Sequence, residues 1–265
     1  WPLPAMDPLA WTPALLAMTV ATTAIEVRPL DMAEDSFDDQ YRGCREDMIR
    51  ALPALNSSDV QQNKNFALVW RKATANWQSR GSPGSPLYPA QAIAIMAYTM
   101  DNLYREFNEA VRQAGNSSQE YQDKFHFKTL HFLLTDALAT LRGAQGQECH
   151  CVARGVRDVR FEARPGDIVR FGHFASASLC KGIAQGFGRD TEFQVYTCHG
   201  VAIKKYSSYP IEDEVLIPPF ETFEVTEVTQ KGDKAQIQLR STGIHSNYNC
   251  EWLPGDNLGG TGTPS

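Results

Sequence analysis

The chain has 265 residues, 42 % hydrophobic and 21 % charged, and its 25 Lys and Arg against 31 Asp and Glu leave a formal net charge of -6. That apolar content excludes a disordered chain, which has fewer core-forming residues and more net charge. The acidic balance argues against a nucleic-acid binder, whose phosphate affinity comes from clustered Lys and Arg, while the length suffices for one large domain or two small ones.

Residues 1–5 read as upstream sequence and residues 6–24 as a secretory signal segment. The mostly apolar stretch from Ala14 to Ala24 is too short to cross a bilayer of about 30 Å as a helix. It ends in small residues, as a cleavage site does, although only Asp7 carries charge ahead of it. The alternative is an apolar helix docked on the core. Residues 25–265 are then expected to form a single domain, helical over about 25–145 and strand-rich over about 146–254. The polar tail over 255–265 lacks the hydrophobic run of a lipid-anchor signal. Export would let the cysteines oxidise and make Asn56 and Asn116, each followed by Ser-Ser, glycan acceptors.

Phe66, Val69, Trp70, Ala73 and Trp77 are spaced by three and four, which predicts a helix before the turn-rich stretch 80–86. From Ile93 through Met96, Ala97, Met100, Leu103, Phe107 and Val111 to Ala114 the apolar residues keep helical period. This predicts one long helix stopped by Gly115. A further helix is predicted from about 125 to 142, with Leu130, Leu133, Leu134, Leu138 and Leu141 on one face. Beyond Gly143 come short β-rich runs at 167–174, 192–197, 201–206, 214–217, 222–229 and 235–240. Helices first and strands afterwards predict an α+β fold, not a βαβ repeat.

Six cysteines, at 44, 149, 151, 180, 198 and 250, allow many pairings. Cys149-His150-Cys151 lacks the paired spacing of a zinc site, so a disulfide framework is the better reading and no metal is expected. At Glu212-Asp213-Glu214, just before the apolar run 215–217, period-two geometry would send Glu212 and Glu214 to one face and Asp213 to the other. Two such carboxylates suit the stabilisation of a developing positive charge; the competing reading is a solvated acidic turn.

Val152-Ala153-Arg154-Gly155, Phe174-Ala175-Ser176-Ala177-Ser178-Leu179 and Glu212-Asp213-Glu214-Val215-Leu216-Ile217-Pro218 together resemble the Arg, Ser and Glu-x-Glu motifs of arginine-specific mono-ADP-ribosyltransferases. The match is to the vertebrate ecto-enzymes, above all the secreted avian forms. The segments 31–41, 94–99 and 127–138 match in order as well, so the resemblance runs from about 27 to 253. It implies a helical half packed on a core of two facing β-sheets. It also implies an enzyme that cleaves NAD, or NADP, at the nicotinamide bond and passes ADP-ribose to a guanidinium, with no metal.

Under that resemblance Glu214 would bond a ribose hydroxyl and oppose the oxocarbenium charge, and Glu212 would receive the acceptor guanidinium and help it lose a proton. Arg154, beside Gly155, would clamp the pyrophosphate or adjoining ribose, and Ser176 would orient Glu214 or the ribose. Phe187, in the stretch 182–188, would belong to a loop over the cofactor, and Tyr98 would line the cofactor cleft. Each aromatic has a rival reading as a packed residue, Tyr98 as a core tyrosine with its hydroxyl satisfied. Ala153, Ala175 and Ala177 stand where the family has aromatic or hydroxyl residues, which would weaken support of the site. The family pattern pairs Cys149 with Cys198 and Cys44 with Cys250, leaving Cys151 and Cys180 as a third bridge or free thiols. The implied protein is a secreted monomer acting on arginine-bearing extracellular or surface proteins, with no nucleic acid and no transmembrane segment. An NAD glycohydrolase or a weakened NAD-binding paralogue is the alternative.

Overall fold

The computed structural model describes residues 25–81, 84–100, 103–179 and 188–253. The signal segment, Cys180, Phe187 and the polar tail lie outside them.

Asn63 separates α1 (Arg45–Gln62) from α2 (Lys64–Arg80): its amide closes the first helix on Asp59, and its side chain caps the second at Phe66. The apolar stripe of α2 buries Phe66, Val69, Ala73 and Trp77, as the spacing predicts. The long helix expected from Ile93 to Ala114 is instead two, α3 (Pro89–Tyr98) and α4 (Tyr104–Ala114). The Thr99 hydroxyl back-bonds to the Ile95 and Met96 carbonyls where α3 ends. Apolar residues continue across the break because α3 is buried all round from Gln91 to Tyr98, while α4 buries the stripe of Phe107, Val111 and Ala114. Ser117 caps α5 (Ser118–Lys124), a short helix the periodicity did not show, and α6 (Lys128–Ala144) follows near its expected bounds.

Beyond α6 the chain is strand-rich, as expected. A two-stranded parallel sheet pairs β1 (Glu26–Pro29) with β3 (Val159–Glu162). The other sheet contains β2 (His150–Val156), β4 (Ile168–Arg170), β5 (Ala175–Ser178), β6 (Thr191–Thr197), β7 (Val201–Ala202), β8 (Glu214–Ile217), β9 (Glu221–Lys231) and β10 (Lys234–Ile244). Its order is β4-β9-β10-β6-β2-β5-β8-β7. The β2–β5 junction rests on the single register pair Ala153 and Ser178, so a five-strand group and a three-strand group meet there. The strand expected over 201–206 stops at Ala202, because the amides of Tyr206 and Ser207 turn back to the Ile203 carbonyl.

Two apolar clusters result. One gathers the helices around Phe37, Phe66, Phe107 and Leu134, and takes in Phe174, Ile203, Tyr206 and Leu216 from the strand-rich half. The other lies within the sheets, around Phe171, Phe193, Phe223 and Ile237. Disulfides join Cys44 to Cys250 and Cys149 to Cys198, the pairs the resemblance implied, while Cys151 is exposed and unbridged. No helix among the described residues is long and apolar enough to cross a membrane.

Candidate active site

The three motif segments converge at the β2–β5–β8 junction. Arg154 stands on β2, and its Nη1 donates to the Ser176 carbonyl at 2.6 Å. Its guanidinium lies 6.0 Å from the Phe171 ring centroid, a cation–π distance. Burial lowers its pKa, but a guanidinium starts so high that it stays charged. Gly155 follows on β2, in register with Glu192.

Alternation along β5 sorts its four residues. Ala175 and Ala177 are buried in the sheet cluster, whereas Ser176 turns its hydroxyl to Glu214. The two alanines thus remove no hydroxyl from the side that Ser176 presents. Ser178 donates to the Glu212 carbonyl at 2.6 Å and ties the acidic turn to β5.

That turn differs from the strand geometry expected of it. Glu212 ends a 3-10 turn, Pro210–Glu212, and Asp213 is left-handed at φ 44°, a conformation that Asp tolerates. Only Glu214 begins β8. Asp213 turns aside to pair with Lys204 at 2.5 Å. The charges of Glu212 and Glu214 nevertheless act on each other, so the carboxylates are neighbours by way of a turn, not a pleat.

Glu214 is buried, and burial pushes its carboxyl up to about 7. The Glu212 charge raises it further, while hydrogen bonds from Ser176 and Ser207 and the Arg154 cation pull it down. Such a carboxylate, half-ionised near neutrality in a low-dielectric wall, responds strongly to a positive charge forming in front of it.

Tyr98, the last residue of α3, is fully buried. Its hydroxyl donates to the Phe174 carbonyl at 2.8 Å, accepts from Asn108 Nδ2 at 3.2 Å and lies 3.4 Å from Ser176 Oγ. Burial pushes its phenol up to about 12, so it stays protonated. The satisfied-hydroxyl reading describes this geometry, and contact with Ser176 links it to the site. Gly188 closes the stretch that holds Phe187. A Cβ there would lie 2.3 Å from the Arg157 amide nitrogen, so only glycine lets the chain press on the end of β2.

Sequence reasoning missed Asn108 and Ser207. Asn108 was visible as a polar residue beside the apolar stripe of α4; it is buried and also donates to the Phe174 carbonyl at 3.0 Å. Ser207 has no comparable signal, because it reaches Glu214 from a turn just beyond the run 201–206 expected as strand.

A family model described as NAD:arginine ADP-ribosyltransferase matches residues 30–247. The chain is 54 % identical over 228 residues to the erythroblast NAD(P)(+)–arginine ADP-ribosyltransferase of Gallus gallus, covering 84 % of this chain and 76 % of that protein. Against the GPI-linked NAD(P)(+)–arginine ADP-ribosyltransferase 1 of Mus musculus it is 50 % identical over 238 residues, covering 85 % and 73 %. Among solved structures, the eukaryotic mono-ADP-ribosyltransferase ART2.2 superposes with a TM-score of 0.76 at 35 % identity, covering 86 % of this chain and 100 % of that one. A variant of ART2.2 in complex with NADH gives a TM-score of 0.73 at the same identity and coverage.

Proposed function

The chain belongs to the NAD:arginine ADP-ribosyltransferase family, and from that premise we propose how its residues divide the transfer of ADP-ribose from NAD to an arginine guanidinium. The bond between nicotinamide and the ribose anomeric carbon breaks, and its electron pair leaves with nicotinamide. Glu214, ionised, opposes the charge left on the ribose and accepts a hydrogen bond from a ribose hydroxyl. Ser176 holds the Glu214 carboxylate by its own hydroxyl. Arg154 supplies a fixed cation for the pyrophosphate or adjoining ribose, its Ser176 bond leaving other donors of its fork for substrate.

Glu212 receives the acceptor. It stands half-buried one turn ahead of Glu214, where a carboxylate can pair with a planar guanidinium and take its proton as the nitrogen attacks the anomeric carbon. The carrying observation is the pairing of two unlike carboxylates: Glu214 sunk and tuned to about 7, Glu212 more exposed beside it. Gly155 and the segment with Phe187 complete the NAD side of this reading. NADP serves as an alternative donor, as the names of the curated relatives indicate for those enzymes.

The two disulfides support folding in an oxidising compartment, and a GPI-linked relative supports a site outside the cell. We accordingly infer a secreted monomer acting on arginines of extracellular or surface proteins. Incubation with NAD and agmatine, following agmatine modification and nicotinamide release together, tests the division of roles. Glu214→Gln is expected to abolish both, and Glu212→Gln to cut transfer more than hydrolysis. Equal loss of both activities in Glu212→Gln would remove the acceptor role from Glu212.

A further inference from the structure

Resting on the reading of Glu214 as the carboxylate facing the ribose, we propose that Ser207 is a second positioning residue for Glu214, clamped there by the helical half of the chain. Ser207 is fully buried between β7 and β8. Its hydroxyl accepts the Tyr209 amide at 3.0 Å and lies 3.3 Å from Glu214 Oε2. A hydroxyl that accepts from an amide keeps its own proton for another partner, and that partner is the carboxylate. The contact is at the long end for an O–H···O bond.

Ser207 and its neighbours are fixed from α2 and α3 and the turn between them. Arg80 Nη1, at the end of α2, donates to the Ser207 carbonyl at 3.0 Å. The Ser208 amide donates to Thr99 Oγ1 and its hydroxyl to the Met96 carbonyl, both at 2.9 Å. Tyr206 lays its ring beside Trp77, 5.9 Å between centroids, and bonds Ser85 Oγ at 3.0 Å. These ties make the serine a fixed donor, and a fixed donor favours the ionised carboxylate that the reaction needs. Other groups acting on Glu214 are Glu212 ahead of it in the turn, Arg154 from β2, Ser176 from β5 and the Tyr98 phenol from α3. Lys204 is engaged with Asp213.

The test is the pH profile of kcat/KM for transfer from NAD to agmatine, whose guanidinium stays charged throughout. Wild type, Ser207→Ala, Ser208→Ala and Glu214→Gln are compared, with folding checked by circular dichroism. Ser207→Ala is expected to move the acid limb up by about half to one pH unit, because losing a donor to a carboxylate raises its pKa. Its plateau is expected to fall about three- to tenfold. Ser208→Ala removes one tie of the same turn but leaves the Ser207 hydroxyl in place, so its acid limb is expected to move less than that of Ser207→Ala. An unmoved limb in Ser207→Ala, or an equal shift in both serine variants, overturns the assignment. Transfer retained by Glu214→Gln would instead strike down the underlying reading of Glu214, which keeps the two failures apart.

Discussion

Replacing Glu214 with glutamine is expected to change the pH dependence of folding as well as to stop transfer. Burial, with the Glu212 charge beside it, pushes the Glu214 carboxyl from its ordinary 4.5 up to about 7. Below the ordinary value the group is protonated in both the folded and the unfolded chain, and its burial carries no charge penalty. Between the two values the unfolded chain releases its proton first, so this carboxyl erodes stability as pH rises. Above about 7 both states are ionised and the penalty levels off, at 1.36 kcal/mol per pH unit of the window, or roughly 3 kcal/mol. Glutamine keeps the shape and an acceptor oxygen for one serine, but no charge. The stability difference between Glu214→Gln and wild type should therefore grow by roughly 3 kcal/mol from about pH 4 to about pH 8, whatever its starting value. Urea unfolding of both proteins across that range, read by tryptophan fluorescence, measures it. A difference that stays flat with pH would refute the reasoning, since a carboxyl so tuned cannot lose its charge without changing the pH dependence of folding.

Three more outcomes follow from neighbouring contacts. Tyr98→Phe removes a buried hydroxyl, but the Phe174 carbonyl keeps its Asn108 donor. Stability should fall by about 1 kcal/mol in thermal or urea unfolding, and KM for NAD should rise less than about threefold; a larger rise would mean that the hydroxyl itself meets NAD. Arg154→Lys keeps the charge and loses the fork that bonds the Ser176 carbonyl, so NAD affinity by calorimetry should drop by about tenfold or more. Replacing Cys44 and Cys250 together by serine opens a link across 206 residues and should cost about 3–5 kcal/mol, with the urea midpoint falling accordingly.

Long stretches of one periodicity made the fold legible. The leucines of the 128–144 helix and the alternation of the two last strands could each belong to only one kind of element, and both formed near their expected bounds. Local chemistry that leaves the apolar pattern intact was not legible. The helix broken after Tyr98 has buried apolar residues on both sides of the break, so nothing in the spacing marks it. Period two, the default beside a strand, predicts a pleated acidic triplet. A proline at 210 and a left-handed Asp213 turn it instead, and the carboxylates meet by another route. Physical reading alone offers Glu212 and Glu214 only as a candidate pair with a solvated acidic turn as its rival, and Arg154 and Ser176 become candidates only through the family resemblance. Ser207 carried neither pattern nor motif, and only the folded turn brings it to Glu214.

The location of the site explains why its support escapes a strand-by-strand reading. Glu214, Ser176 and Arg154 come from the sheet, yet each lies at the seam where the sheet meets the helical cluster. The helices reach across that seam at the level of single polar atoms: Tyr98 and Asn108 hold the Phe174 carbonyl two residues before Ser176, and Arg80, Met96 and Thr99 hold the turn that carries Ser207. Catalysis that depends on a carboxylate aimed to within fractions of an ångström is sensitive to such remote ties, since a displacement of about 1 Å can cost on the order of a hundredfold in rate. Under the role proposed for Glu214, the helical half takes part in catalysis by positioning. A substitution on α2 or α3 that never meets NAD or arginine can act on kcat through Glu214 while leaving the KM for either substrate in place.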